Sequence, residues 1–142
     1  MKKVSLSVTI LVVVLLLSSV VFAGGRPLSA DLTGAAEVSG GDPDGSGTAH
    51  LTLNSGQEEI CFELSWENIA TPTRAHIHRA SAGANGPIVV PFFDFVAPPP
   101  SSGCVAVDRE LVKEIRQNPE GFYVNIHNAA FPGGAIRGQL SK

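Results

Sequence analysis

Two of the chain's four histidines stand one residue apart in Arg74-Ala75-His76-Ile77-His78-Arg79. Side chains alternate across an extended strand, so His76 and His78 share a face with Arg74 while Ala75 and Ile77 point the other way. Same-face neighbours lie about 7 Å apart between Cα atoms, which lets two imidazoles converge on one ion. The same parity applied to Tyr123-Val124-Asn125-Ile126-His127 sends Val124 and Ile126 to the core and groups Tyr123, Asn125 and His127 opposite. In Ala135 to Leu140, Ile136 and Leu140 take the core phase and leave Arg137 and Gln139 on the other side. With these three strands as neighbours, His76, His78, His127, Asn125 and Arg137 form one polar cluster. Three neutral imidazoles without thiolate or carboxylate suit Cu(II) or Zn(II) and leave at least one position for water or substrate. Asn125 is then placed to orient the ligands from behind.

Other chemistries have little to stand on. The chain holds no Gly-x-Ser-x-Gly, no Gly-x-x-x-x-Gly-Lys and no His-Glu-x-x-His, which removes the common hydrolase, phosphate-binding and metalloprotease signatures. Glu63, Glu67 and Asp94 are isolated carboxylates, so paired acid/base hydrolysis has no support. Asp42-Pro43-Asp44-Gly45 resembles part of a calcium loop but lacks the later ligands and the terminal Glu, and reads as a turn. His50 falls on the non-core phase of its strand with no second ligand nearby, and reads as a surface residue.

The elements that must position the cluster are short alternating apolar stretches divided by Gly, Pro, Asn and Asp, which is the pattern of an all-β domain. About eight strands are predicted: Leu28–Leu32, Ala49–Leu53, Ile60–Trp66, Arg74–Arg79, Ile88–Phe95, Cys104–Val107, Phe122–His127 and Ala135–Leu140. Ile60, Phe62, Leu64 and Trp66 alternate cleanly and are assigned to the core. Pro98-Pro99-Pro100 cannot join a ladder and reads as a surface loop. Asp108 is set to cap one short helix that runs through Gln117, with Leu111 and Ile115 facing inward and Asn118-Pro119 ending it. The expected architecture is a Greek-key-like β-sandwich or flattened barrel of about eight strands with one short helix.

The chain's 142 residues leave room for one domain of ordinary size. Lys2 and Lys3 precede an apolar run from Val4 to Phe22, and Val21-Phe22-Ala23 has small residues at the positions a signal peptidase reads. Residues 1–23 are therefore read as a secretory signal, residues 24–142 as the domain, and the destination as secreted or periplasmic. No stable membrane insertion is expected after cleavage. Removing that segment takes away two lysines and no acids, so the formal charge moves from −3 to −5. An acidic domain with scattered basic residues is a poor partner for nucleic acid, and no protein partner is legible. Cys61 and Cys104 are the two cysteines, and an even count in an exported chain predicts one disulfide.

Ala75-His76-Ile77-His78-Arg79 with Gly83-Ala84-Asn85-Gly86-Pro87-Ile88-Val89-Val90 resembles the CHRD family, first described in chordin and common in single-domain microbial exported proteins. Tyr123-Val124-Asn125-Ile126-His127-Asn128 and Phe131-Pro132-Gly133-Gly134-Ala135-Ile136-Arg137-Gly138-Gln139-Leu140 match a second signature of that family, and Leu32 to Val38 resembles its opening. The resemblance spans about residues 28–140 and carries no general activity. The chain lacks the cysteine-rich repeats that accompany the domain in chordin, so growth-factor binding is not transferred. A weaker similarity is to the copper-zinc superoxide dismutases, which are β-sandwiches with a His-x-His strand, a third histidine, a C-terminal arginine and a disulfide. That likeness implies His76, His78 and His127 as copper ligands and Arg137 as an anion-binding group. It departs in having no bridging histidine and no zinc loop, which implies a copper-only centre. Three functions follow as expectations: a metal-binding module, a structural or adhesive exported domain, and a copper-only redox enzyme.

Overall fold

The computed structural model describes residues 25–142, so the predicted leader at 1–23 lies outside the described residues. Eight strands form: β1 Arg26–Thr33, β2 Ser46–Asn54, β3 Glu59–Glu67, β4 Pro72–Arg79, β5 Ile88–Asp94, β6 Ser102–Ala106, β7 Phe122–Asn128 and β8 Ile136–Gln139. All eight fall on predicted stretches. One helix, α1, spans Arg109–Gln117. The strands make one antiparallel sheet in the order β5-β4-β7-β8-β1-β2-β3-β6, which curls into a nearly closed barrel whose end strands β5 and β6 approach each other without pairing. The stacked rings of Phe62 and Phe92, 4.6 Å apart, join β3 to β5 across the interior. Of the two expected architectures, the flattened barrel is the one adopted. The neighbours that are not consecutive in sequence, β4 with β7, β1 with β8 and β3 with β6, supply the crossovers of a Greek-key-like chain path.

Alternation sets what the barrel encloses. Leu28, Ala30 and Leu32 of β1, Ala49, Leu51 and Leu53 of β2, Ile60, Phe62 and Leu64 of β3, and Ala75 and Ile77 of β4 are all buried. Trp66 departs from the expected core set: it is half-buried and packs against the cluster from its rim, because at the strand's end it runs past the barrel mouth. Helix α1 closes part of one end. Asp108 caps it by accepting the N–H groups of Glu110 at 2.9 Å and Leu111 at 3.4 Å. Its buried residues are Val112 and Ile115, with Leu111 only partly covered. The apolar stripe is thus centred one position away from the predicted pair, as a helical face allows when i, i+3 and i, i+4 residues both border it.

The predicted disulfide is present between Cys61 and Cys104, which face each other directly on β3 and β6. It closes a sequence separation of 43 residues, which in the chain-entropy model is worth about 3–4 kcal/mol. The bond suits an oxidising compartment. No helix among the described residues is long and apolar enough to cross a membrane.

Candidate metal centre

Strands β4, β7 and β8 are adjacent, which is the condition the clustering of the histidines requires. The register sets His78 opposite Tyr123, His76 opposite Asn125 and Arg74 opposite His127. Across the other edge of β7, Asn125 faces Arg137 of β8. The inward phase of β7 belongs to the barrel core, yet its outward phase is covered too: every residue from Phe122 to Asn128 is buried. The outward face of β7 is therefore closed over. His76 and His127 retain only 3% and 5% of their exposure. His78 is partly exposed as a residue, while its Nε2 is buried and has no hydrogen-bond partner among the described residues.

Two loops provide the cover, and each fixes one imidazole through a backbone carbonyl. The β4–β5 loop brings the Gly86 carbonyl 2.9 Å from His78 Nδ1, and the Gly86 N–H donates to the Tyr123 hydroxyl at 3.3 Å. Residue 86 must be glycine here, because a Cβ would lie 1.9 Å from the Arg79 carbonyl oxygen. The β7–β8 loop brings the Pro132 carbonyl 3.1 Å from His127 Nδ1. That loop is shaped by Asn128, whose Oδ1 accepts the Phe131 N–H at 2.8 Å, and by Gly134 at φ +141° packed against the Glu37 carboxylate.

These contacts settle the tautomers. A carbonyl oxygen only accepts, so the neutral rings of His78 and His127 carry their protons on Nδ1 and leave Nε2 as a lone pair. His127 Nε2 lies 3.2 Å from His76 Nδ1, and the ligand atoms of all three residues fall within 4.8 Å of one another. Two imidazole nitrogens on one zinc or copper ion, each about 2.0–2.1 Å away at a near-tetrahedral angle, stand about 3.3 Å apart. The His76–His127 spacing already meets that demand. Without an ion, His76 Nδ1–H donates to His127 Nε2; with one, the His76 proton belongs on Nε2. Burial pushes the imidazoles of His76 and His127 down to about 4, aided by the neighbouring histidine and by the charge of Arg74. Burial lowers His78 as well, opposed by its bond to Gly86. All three rings are thus neutral at neutral pH, the state in which an imidazole can bind a metal.

Asn125 and Arg137 join the face but look toward Glu37, a residue the sequence reading passed over. Arg137 Nε and Nη2 each lie 2.7 Å from Glu37 Oε2, Nη1 donates to the Ala84 carbonyl at 3.1 Å, and Nη2 donates to Asn85 Oδ1 at 2.7 Å. Asn125 Nδ2 donates to the other Glu37 oxygen. Burial raises the Glu37 carboxyl from its usual range, against the pull of Arg137 and Asn125. The guanidinium also lies 4.3 Å from the centre of the Tyr123 ring, whose other neighbour is the His78 ring, stacked at 4.8 Å. Arg137 therefore supports the centre through Tyr123 and the β4–β5 loop, with its charge matched by Glu37. His50 is exposed on β2, in the other half of the sheet.

The supporting residues left only partial traces in the sequence. Glu37 sits just past a 3-10 turn, where no periodicity marks it, though it belongs to the stretch that resembles the family's opening. The Gly86 and Pro132 carbonyls are backbone groups and leave no residue-type signal beyond the Asn-Gly-Pro and Pro-Gly-Gly turns that present them. The CHRD domain family model matches residues 28–140. No curated protein and no solved structure matches the chain.

Proposed function

The chain belongs to the CHRD domain family, and from that premise we propose that it is an exported binding module that holds a single Cu or Zn ion through His76, His78 and His127. The observation that carries this reading is the buried Nε2 of His78. A buried polar atom without a partner is costly, on the order of 1–3 kcal/mol, and this one belongs to a ring already oriented by the Gly86 carbonyl. Placed within reach of the other two ligand atoms, it is a lone pair suited to a cation. The donor set of three neutral imidazoles favours Cu or Zn over Mg or Ca, which prefer oxygen. Export accords with the leader predicted at residues 1–23 and with the Cys61–Cys104 disulfide.

The ion would act as a Lewis acid with at least one position outside the protein's ligands. The protein's part is to keep the rings neutral, fix their rotation and limit access. The test is metal content after chelator stripping and reloading with Cu(II) or Zn(II), repeated with His76→Ala, His78→Ala and His127→Ala. One equivalent in the parent protein, and loss of affinity in each variant with the far-UV spectrum intact, is the expected result. Unchanged affinity in all three variants ends the proposal and leaves a structural domain whose histidines serve its hydrogen bonding.

A further inference from the structure

Of the chain's ten lysines and arginines, Lys2 and Lys3 lie outside the described residues, and five of the other eight are ion-paired. Arg74 meets Asp94, Arg79 meets Glu114, Arg109 meets Glu58, Lys113 meets Glu110 and Arg137 meets Glu37. The remaining three, Arg26, Arg116 and Lys142, make no side-chain hydrogen bond or ion pair among the described residues. All three line one cavity of about 550 Å³, together with Pro27, Leu28 and Gln117. No Asp or Glu contributes to its wall, and the α-carboxylate of Lys142 pairs with none of the three among the described residues. Three elements bring these cations together. Arg26 opens β1, Arg116 stands in the last turn of α1, and Lys142 lies in the segment that follows β8. That segment is tied down: the Ser141 N–H donates to the Ser29 carbonyl at 2.8 Å and the Ser29 N–H to the Ser141 carbonyl at 2.9 Å.

Acids are not scarce in this chain, with thirteen against ten bases, yet none is set against these three cations. Arg116 is half-buried, and its place in the last turn of α1 suits the helix dipole. The dipole does not account for two further cations drawn from a strand and a terminal segment. Like charges gathered around one hollow repel each other and raise its potential, which favours an anion inside it. We propose that the cavity between the start of β1, the end of α1 and the segment after β8 binds a small organic polyanion, a compact molecule with two or more carboxylate or phosphate groups. Arg26 and Arg116 offer planar forks that match either oxyanion, and Lys142 adds a point charge. A cavity of this size holds a molecule rather than a lone ion, and Pro27 and Leu28 give the body of that molecule an apolar wall. The site shares no residue with the histidine face and stands whether or not that face binds a metal.

Citrate and pyrophosphate are the probes, titrated calorimetrically into the metal-free protein at low salt, with acetate as the singly charged control. One equivalent of citrate or pyrophosphate is expected to bind, and the tighter of the two identifies the anionic group the cavity prefers. Arg26→Gln and Arg116→Gln are each expected to weaken that probe about tenfold, and Lys142→Gln about threefold. Arg116→Lys keeps the charge and loses the planar fork, and is expected to weaken it about threefold. Arg109→Gln, which removes a paired arginine from the first turn of the same helix, is expected to change nothing. No saturable uptake of either probe, acetate bound as tightly as both, or equal affinity in the parent, Arg26→Gln and Arg116→Gln overturns the inference. Should Arg116→Gln fail to fold, the comparison of the parent with Arg26→Gln decides alone.

Discussion

The outer face of the barrel has two halves built by the same rule and put to different ends. On β1, β2, β3 and β6 the outward phase carries His50, Glu63, Cys61 and Cys104, and His50 opposes Glu63 directly across β2 and β3. On β4, β7 and β8 it carries His76, His78, Tyr123, Asn125, His127 and Arg137. Both halves thus bear histidines at the non-core phase of a strand. Only the second has loops folded back over it, carbonyls that fix ring tautomers, and a buried ion pair behind. Cover and orientation, more than the presence of histidine, turn a strand surface into a candidate centre. Desolvation lowers the proton affinity of the rings, and the Gly86 and Pro132 carbonyls leave their Nε2 atoms free.

The sharpest way to break this contrast is to unpair Arg137. Glu37→Gln leaves a buried guanidinium without its countercharge and is expected to cost about 3–5 kcal/mol, read by denaturant unfolding. Glu63→Gln on the open half is expected to stay within about 0.5 kcal/mol. Removing the disulfide with Cys61→Ala and Cys104→Ala is expected to cost about 3–4 kcal/mol and to leave metal affinity unchanged, since the bond sits on the other half. Equal loss of metal affinity there would dissolve the distinction.

Acid separates the halves next. His76 and His127 have folded-state values of about 4, below the value near 6.5 of an unfolded histidine. Their contribution to stability is whole above pH 6.5 and falls as the pH drops toward about 4, where the folded rings also take up protons. The slope is up to about 1.4 kcal/mol per pH unit for each ring. Unfolding of the metal-free protein across pH 8 to 4 should show this decline, and His76→Gln with His127→Gln should flatten it. A matched pair of turns gives the smallest effects. Asn128→Ala releases the Phe131 N–H and the loop that presents Pro132, for about 1 kcal/mol and about a tenfold loss of metal affinity. Asn54→Ala, which frees the Gln57 N–H at a turn of the open half, is expected to cost about as much stability and no metal affinity.

Much of this was legible before the fold was known. Alternation placed all eight strands because each carries apolar residues at the core phase between turn-forming stretches, and parity put His76, His78 and His127 on one face, where their ring nitrogens lie within 4.8 Å of one another. Strand adjacency had to be assumed, since β4 and β7 are separated by β5, β6 and α1. The arrangement behind the histidines was not legible for a different reason. Arg137 finds Glu37 one hundred residues away, in a stretch without periodicity, and residue type alone cannot show that an arginine is already paired. Trp66 and Leu111 were misplaced by one shell of burial because periodicity fixes a face and says nothing of where an element runs past the core.

The central claim is that the covered half binds a metal and the open half does not. Competitive titration of the parent protein, His78→Ala and His50→Ala with Cu(II) and Zn(II) against a chelator of known affinity tests it most directly. The account predicts one tight equivalent in the parent and in His50→Ala, and at least about a hundredfold loss, on the order of 2.7 kcal/mol, in His78→Ala. Equal affinity in all three proteins, or a loss in His50→Ala as large as that in His78→Ala, would contradict it.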